Sequence, residues 1–522
     1  MGKEVLFRNA KIWRSISHEM ASWMLINKET GYITKVGDGA APSCEEVIDV
    51  GGKVILPGFH EAHIHVSMLG TVLCGVDVAK CKNIEEVLTM IKDFASTNKS
   101  ASFIEGYNLN DVNTGRLPTK EELDECCSDR PVIVYRVCHH IGVVNSAYFK
   151  KKGWDESTPN PSGGVIDRYP AGHPKEGQLN GCLKEKALEA SMDIVKYTYK
   201  EELEHCKAGL NFCLRQGVTS VHTNEPGMWR EYCALSDSNE LPVRVFLAGY
   251  YTNRNDGNFP NGPQVKSELL SCDRVKLFGD GSLGGYTAAL SQPYIGQDGS
   301  KGLLLYTQEE FNQLALAATA EGFRLEIHAI GDAAADLALN GMEFAGVSPE
   351  KRPILTHCQI LREDQLERMR DMGVVANVQP SMLVTDCQWL EQRVPRELLK
   401  CSYAWKSLAD KGIICAGGSD APVEEAKPLL GMYDAIFRKS SRGSEDAYVF
   451  KPEERHSLQE AIDLYTVGGA WATRRENDLG KILPGYKADF IILKSPGDIF
   501  ESPELLLKTE VEQVWVNGQR NV

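Results

Sequence analysis

Four histidines stand at or near the ends of apolar, β-like runs of the sequence. His63 and His65 follow ILPGF, His328 lies in FRLEIHA, and His357 ends RPILTH. Because side chains alternate along a strand, His63 and His65 point to the same face and can reach one ion. Neutral imidazoles on separate rigid strands suit Zn²⁺, Fe²⁺ or Mn²⁺. A single strand-end histidine is more often a hydrogen-bonded core residue, but four together predict a metal site.

A carboxylate and a lysine stand in comparable positions. Asp420 closes the run GIICAGGSD and is expected to supply an oxygen ligand, although Asp is also common there as a turn or N-cap residue. Lys276 lies inside RVKLFGDG, where an ammonium would be costly to bury and would repel a metal. A neutral lysine amine can capture CO₂ as a carbamate that bridges two ions. The alternative is an unmodified Lys276 paired with Asp280 or Glu326.

Eight β-branched, apolar runs predict the strands that must position these residues. They are ILPGFHEAHIHV, GVTSVHT, PVRVFLAG, RVKLFG, FRLEIHA, RPILTH, GVVANVQ and GIICAGGSD. Helical stretches lie between them, such as TQEEFNQLALAATAEG, in which Thr307 and Glu310 form a capping box and Gly322 ends the helix. This alternation predicts an α/β fold of the (β/α)₈ TIM-barrel type, whose working face lies at the C-terminal ends of the strands.

Two further parts are expected besides the barrel: a module built from both ends of the chain and an insertion. Residues 1–57 and 479–522 alternate short β-like runs with turns, and together they are expected to form one composite β-sandwich module. The barrel is then expected over 58–478, with a large insertion at about 68–200 after its first strand. This insertion contains the runs NIEEVLTMIKDFAS and PVIVYRV, and we expect it to cover the barrel mouth.

Composition limits the kind of partner. Lys and Arg number 57 against 72 Asp and Glu, a net charge of −15 that disfavours nucleic acid and anionic membranes. The 15 cysteines contain no C-x-x-C pair, and no signal peptide or membrane span is evident, so a reduced, cytoplasmic protein is expected. The expected partners are a small-molecule substrate and, as one option, a second copy in a homodimer.

The segment GDGSLG (279–284) satisfies the G-x-G-x-x-G pattern after a strand and raises the alternative of a dinucleotide-binding dehydrogenase. However, no strand ending in an acidic residue follows about 20 residues later, as that motif requires. The sequence there is LSQPYIGQDGSKG, which is typical of a loop. This alternative would also leave the histidines unexplained.

The motifs PGFHEAHIHV, VKLFGDGSLG, LEIHAIGDAA, ILTHCQI and GGSDAPV resemble the amidohydrolase superfamily. The similarity is to its YtcJ-like branch, which includes N-substituted formamide deformylases, and it extends over nearly the whole chain. The resemblance implies a divalent metal, with Zn²⁺ favoured, in one or two copies. It implies metal ligands at His63, His65, His328, His357 and Asp420, and at a carboxylated, bridging Lys276.

The resemblance also assigns roles beyond metal binding. It implies that Asp420 carries protons in catalysis and places His140 near the pocket as a substrate-binding residue, while His139 and His222 are weaker candidates. Glu61 and Thr223 stand where the branch often has Asp. Gly106-Tyr107-Asn108 replaces a frequent Gly-Trp-Asp run, so this chain differs around the substrate rather than at the metal.

Together these features predict a metal-dependent amidohydrolase that cleaves a non-peptide C–N bond. The expected substrate is an amide or an N-substituted formamide, attacked by metal-activated water. Because fold does not fix function, the alternative is a catalytically silent metal-binding or regulatory protein on the same fold.

Overall fold

The computed structural model describes residues 4–136, 141–255 and 257–522. Contacts divide the chain into two compact units, one comprising the residues up to 66 together with 210–522, and the other comprising 67–209. The first unit contains a parallel barrel and a sheet built from both ends of the chain. The second contains a separate mixed sheet.

The chain begins with strands of two different sheets. These are β1 (Glu4–Ile12), β2 (Ala21–Asn27), β3 (Tyr32–Gly37), β4 (Glu46–Asp49), β5 (Val54–Pro57) and β6 (Phe59–Ile64). Only Gly58 separates β5 from β6, and a Cβ atom added there would lie 2.2 Å from the side-chain oxygen of Thr219. The chain therefore needs glycine where it passes from the terminal sheet into the barrel.

The second unit folds around its own six-stranded sheet. Its strands are β7 (Val76–Asp77), β8 (Ile104–Leu109), β9 (Val132–Arg136), β10 (Ile141–Val144), β11 (Gly164–Arg168) and β12 (Leu179–Glu185). Their order is β11-β12-β10-β9-β8-β7. The helices of this segment and of its two chain connections are Val66–Cys74, Ile84–Thr97, Asp111–Thr114, Lys120–Cys126, Ser146–Lys152, Lys186–Ser191 and Tyr199–Arg215. The expected strand PVIVYRV corresponds to β9, and NIEEVLTMIKDFAS forms the helix Ile84–Thr97 with Asn83 as its N-cap.

Seven more parallel strands complete the barrel. They are β13 (Val218–Glu225), β14 (Arg244–Tyr250), β16 (Leu270–Phe278), β17 (Arg324–Ala329), β18 (Ile354–His357), β19 (Val375–Val378) and β20 (Cys415–Gly417), while the short β15 (Gln264–Ser267) pairs antiparallel with β16. The barrel order is β6-β13-β14-β16-β17-β18-β19-β20. Beyond β20, Asp420 N donates to His63 O at 2.8 Å and His65 N to Ala421 O at 3.0 Å. These two bonds join the last strand to the first.

Helices follow the barrel strands. They are Trp229–Asp237, Gln308–Ala320, Asp332–Phe344, Glu363–Asp371, Pro380–Asp386, Leu390–Arg393, Trp405–Asp410, Pro428–Phe437, Leu458–Leu464 and Val467–Ala472. The predicted capping box is present, since Glu310 N donates to Thr307 Oγ1 and the Glu310 carboxylate accepts from Thr307 N. Gly322 adopts a φ of +92° just beyond that helix, as a helix stop requires.

The C-terminal segment completes the terminal sheet. Its strands are β21 (Phe490–Lys494), β22 (Glu510–Val516) and β23 (Gln519–Arg520), and β21 pairs antiparallel with β5. Hydrogen bonds join β1–β5 and β21–β23 into one eight-stranded sheet. In its core, Phe7 meets Phe490 and Trp515 with ring centroids 5.0 Å apart in each pair.

The fold class expected from the sequence is confirmed as a (β/α)₈ barrel with a composite terminal β module and a large insertion after the first barrel strand. None of the helices in the described ranges has the length and apolarity needed to cross a bilayer. The proposed domain limits of 1–57, 58–478 and 479–522 stay predictions.

Candidate active site

All six predicted ligand residues lie towards the C-terminal ends of barrel strands and line one cavity of about 520 Å³. They are His63 and His65 at the end of β6, Lys276 on β16, His328 on β17, His357 on β18 and Asp420 after β20. Parallel strands make this convergence possible, because their C-terminal ends share one rim of the barrel.

Three of these residues form the tightest cluster. The Oδ1 atom of Asp420 lies 3.2 Å from His63 Nε2 and 3.0 Å from His65 Nε2. One ligand atom from each residue lies within 4.8 Å of the others. This Oδ1 is buried and has no hydrogen-bond partner among the described residues. An unpaired carboxylate oxygen facing two imidazole nitrogens fits a divalent cation, which would satisfy all three atoms at once.

The backbone fixes where Asp420 points. Its φ is +60°, and its amide donates to His63 O across the barrel seam, which is the place where the last strand β20 meets the first strand β6. Its own carbonyl accepts from Val423 N at 2.9 Å, which is a turn. The turn role considered from the sequence is therefore present, and Asp420 also lies beside His63 and His65.

Each imidazole is oriented through its other nitrogen. His65 Nδ1 lies 2.7 Å from Asn224 O, His357 Nδ1 lies 2.8 Å from Gln379 Oε1, and His328 Nε2 lies 3.1 Å from Gly281 O. These oxygens are acceptors, so the facing nitrogens carry the protons and the opposite ones keep free lone pairs. Second partners of this kind are typical of metal-binding histidines.

His328 and His357 extend the cluster along the rim. Their ring centroids are 4.4 Å apart, and the ring of His357 lies 5.4 Å from that of His63. Burial holds the pKa of His357 well below its ordinary value, and the adjacent His328 adds to the effect. The His357 imidazole is thus neutral, which is the form that binds a metal.

Lys276 lies beside the cluster and is almost fully buried, at 1% exposure. Its Nζ is 3.5 Å from His63 Nε2 and 3.9 Å from Glu326 Oε1. Burial lowers the pKa of Lys276 to about 8. Of the two carboxylates considered as its partners, only Glu326 is close. Asp280 instead accepts backbone bonds from Ala289, Ile330 and Gly331.

Several residues support the site through contacts that were not predicted from the sequence. Glu326, considered from the sequence only as a partner of Lys276, also contacts His63: its Oε1 lies 3.0 Å from His63 Nδ1, and its Oε2 lies 3.1 Å from Arg274. Burial opposes the ionisation of Glu326, but the Arg274 charge keeps its pKa well below the ordinary value. Glu326 precedes His328 by two residues and so shares its strand face, a period-two relation that could have revealed it. Tyr250, whose hydroxyl lies 3.3 Å from His65 Nδ1, and Gln379 follow no comparable sequence pattern.

The remaining candidates from the sequence analysis are three histidines and one glycine-rich segment. His222 packs against His60 and Phe246, with 3.4 Å between His222 Nε2 and His60 Nδ1, and does not line the cavity. His139 and His140 lie outside the described residues, so the expected substrate-binding role of His140 stays a prediction. The segment 279–284 runs into a loop, with the next helix starting at Gln308, so it lacks the strand–turn–helix context of a dinucleotide site.

The model of the amidohydrolase family matches residues 46–522. The chain belongs to the amidohydrolase family. Among its amidohydrolase relatives, YtcJ of Bacillus subtilis is 31% identical over 92% of this chain and 90% of its own. An N-substituted formamide deformylase of Arthrobacter pascens is 26% identical over 94% of this chain and 92% of its own. The YtcJ-like branch expected from the motifs is confirmed.

A solved structure of similar fold supports the same assignment. An uncharacterized metal-dependent hydrolase from Pyrococcus horikoshii superimposes with a TM-score of 0.81 and 28% identity, covering 96% of this chain and 99% of the other. The protein is therefore a member of a hydrolase family, and His63, His65 and Asp420 form its candidate metal site.

Proposed function

We propose that this amidohydrolase uses a divalent metal to hydrolyse a non-peptide C–N bond, with an amide or N-substituted formamide as substrate. The observation that carries this proposal is the convergence of His63 Nε2, His65 Nε2 and the unpaired Asp420 Oδ1 at the cavity. The similarity to an N-substituted formamide deformylase over 94% of the chain supports the choice of substrate.

The metal would be held by the residues already described, and Zn²⁺ is the ion that this donor set favours. His63, His65 and Asp420 would hold one ion, and His328 and His357 would hold a second if Lys276 carries a bridging carbamate. A bound ion would supply Lewis acidity, which polarises a carbonyl group and acidifies water. Burial lowers the pKa of Lys276 to about 8, which supports carbamate formation because only an unprotonated amine reacts with CO₂.

Asp420 is the residue proposed to move the proton. Because Oδ1 faces His63 and His65 and would bind the ion, the other oxygen of the Asp420 carboxylate is the one proposed to accept a proton from water. Passing that proton to the departing nitrogen would release an amine, which leaves far more readily than an amide anion. Glu326 and Arg274 would hold His63 in place throughout, because neither needs to change its charge.

The test combines metal analysis with turnover. Protein purified without chelators should contain at least one equivalent of metal, and it should release amine from members of a panel of N-acyl and N-formyl amines. A chelator should abolish turnover and added Zn²⁺ should restore it. His65→Ala should lower the metal content, whereas the exposed His18→Ala should not.

Two results would contradict the proposal in different ways. A metal content below about half an equivalent, with no gain on adding Zn²⁺, Mn²⁺ or Fe²⁺, would rule out the proposed metal site. A fully loaded protein that turns over no panel member would favour the alternative of a silent metal-binding or regulatory protein.

A further inference from the structure

The wall of the cavity beyond the metal cluster has a distinctive chemistry. Much of it is apolar, formed by Phe278, Leu283, Ile330, Met382 and Val423. Besides these residues, it contains two carboxyl groups, Asp386 and Glu424, at the end of one helix and in the loop after Asp420. A ligand that fills the cavity therefore meets hydrocarbon on several sides and acidic groups at one place.

Neither of these carboxyl groups forms a salt bridge in the described part of the chain, and the charges of Arg393 and Arg442 act on Asp386 and Glu424 only from a greater distance. Asp386 accepts a hydrogen bond from Tyr403 Oη, and Glu424 accepts one from Thr385 Oγ1 at 3.3 Å. Thr385 directly precedes Asp386, so this bond ties the two acidic positions together.

The nearby arginines are engaged elsewhere. Arg442 pairs with Asp434 at 2.8 Å. Arg393 lies over the Trp389 ring, 4.2 Å from its centroid, and donates to Gly284 O. The basic side chains of the described lining are Lys276 and the four histidines, and all five belong to the candidate metal site. Outside that site, the described cavity wall thus has no cationic side chain to pair with a substrate carboxylate and two carboxyl groups that can pair with a cation.

Resting on the proposed function, we propose that the substrate is an amide bearing a protonated amino group remote from the scissile bond, and that Asp386 and Glu424 bind this ammonium. The apolar wall would contact the carbon chain between the two ends. Burial raises the pKa of Asp386 to about 6 and that of Glu424 to about 7, and an adjacent cation would favour their ionised forms. Both residues would act in specificity rather than in the chemical step.

The inference is tested with three series of N-formyl amines of matched length, using the metal-loaded protein at pH 8. The first series carries a terminal ammonium (mono-formyl diamines of three to six carbons), the second a terminal methyl group, and the third a terminal carboxylate. We expect kcat/KM for the best ammonium probe to exceed that of its methyl counterpart by about tenfold, with the carboxylate probe poorest.

Variants assign the preference to the two carboxyl groups. Asp386→Asn and Glu424→Gln should each reduce the ammonium-to-methyl ratio at least about threefold, and the double variant should bring it near one. Glu425→Gln is the matched control, because Glu425 is exposed, pairs with Lys427 and does not line the cavity. Its ratio should equal that of the unmodified protein.

The outcomes separate this inference from the proposed function. If methyl-ended formamides are hydrolysed but the ratio is near one, the inference is overturned and the proposed function stands. If no probe is hydrolysed by metal-loaded protein, the proposed function fails. Calorimetry with pentylamine and 1-pentanol then decides the inference: tighter binding of the ammonium compound that the double variant loses supports it, and equal binding overturns it.

Discussion

At the scale of single residues, the site depends on how each ligand is held. The imidazoles of His65, His328 and His357 each direct one nitrogen to a fixed oxygen and leave the other free. Pre-set tautomers of this kind remove the need to reorganise when an ion binds. Lys276 is the residue whose chemical state has the largest consequence, because an ammonium repels metal ions while a carbamate can bridge two of them.

Lys276→Ala distinguishes these states. If Lys276 carries a bridging carbamate, the variant should lose about one metal equivalent and nearly all activity, and propionate should restore part of it. Lys487→Ala is a suitable control, since Lys487 is also buried, at 6% exposure, but pairs with Glu268 outside the cavity. Metal content is measured by elemental analysis. Unchanged metal and activity in purified Lys276→Ala would refute the carbamate and favour a single ion.

At the scale of elements, local sequence patterns predicted the barrel strands. They did not predict strands that form only because they pair with a neighbouring strand. The eight barrel runs were recognisable because both faces of a parallel barrel strand are buried, which demands continuous apolar sequence. β15 escaped notice because QVKS is polar and exposed and is a strand only through its pairing with β16. β11 was also missed, because it lies within the Gly- and Pro-rich stretch 157–177 and is a strand through its pairing with β12.

In the candidate site, too, some residues could be predicted from the local sequence and others could not. The strand-end histidines and Asp420 could be identified because position along a strand is a local property. The contacts of Asn224, Tyr250 and Gln379 depend on which strands become neighbours and in what register, so no local pattern contains them. The run ILPGFHEAHIHV also conceals a change of sheet, since β5 and β6 divide at Gly58.

A substitution of Gly418 tests how the barrel closes, because this residue lies where the last barrel strand meets the first. A Cβ atom there would lie 2.6 Å from His63 N and 2.8 Å from Glu61 Oε1. Gly418→Ala should therefore push the seam apart, costing about 1–3 kcal/mol of stability and weakening metal binding.

The comparison protein is Gly227→Ala, whose added Cβ would have its nearest neighbour at 3.5 Å, an ordinary contact distance. Thermal unfolding and metal titration are measured on both variants. Equal stability and metal affinity of Gly418→Ala and the unmodified protein would show that the seam tolerates the extra atom.

At the scale of the whole molecule, the two ends of the chain share one sheet. β1 and β5 come from the first 57 residues and β21 and β22 from the last 33, yet all four lie in the same hydrogen-bonded array. Phe7 contacts Trp515 edge to face at 5.0 Å. Such contacts across the chain couple the stability of its beginning to that of its end.

A double-mutant cycle measures this coupling. Phe7→Ala and Trp515→Ala should each destabilise the protein by about 3–5 kcal/mol, and their effects should be non-additive by about 0.5–1.5 kcal/mol. Phe7 paired with Phe311, a buried residue of the helix Gln308–Ala320, should give additive effects. The readout is the urea midpoint of unfolding. Additivity for Phe7 and Trp515 would contradict the contact.

The seam between β6 and β20 can form only late in the synthesis of the chain, because its two sides are far apart in the sequence. The hydrogen bond from Ser419 N to Glu61 Oε1 joins residues 358 positions apart. At about 5–20 residues per second, a ribosome needs roughly 20–70 s to make the second partner after the first. His63 and His65 therefore emerge long before Asp420 exists. A newly made chain cannot complete its candidate metal site until nearly the whole barrel has been synthesised, so an ion held by all three residues would be bound late in biosynthesis.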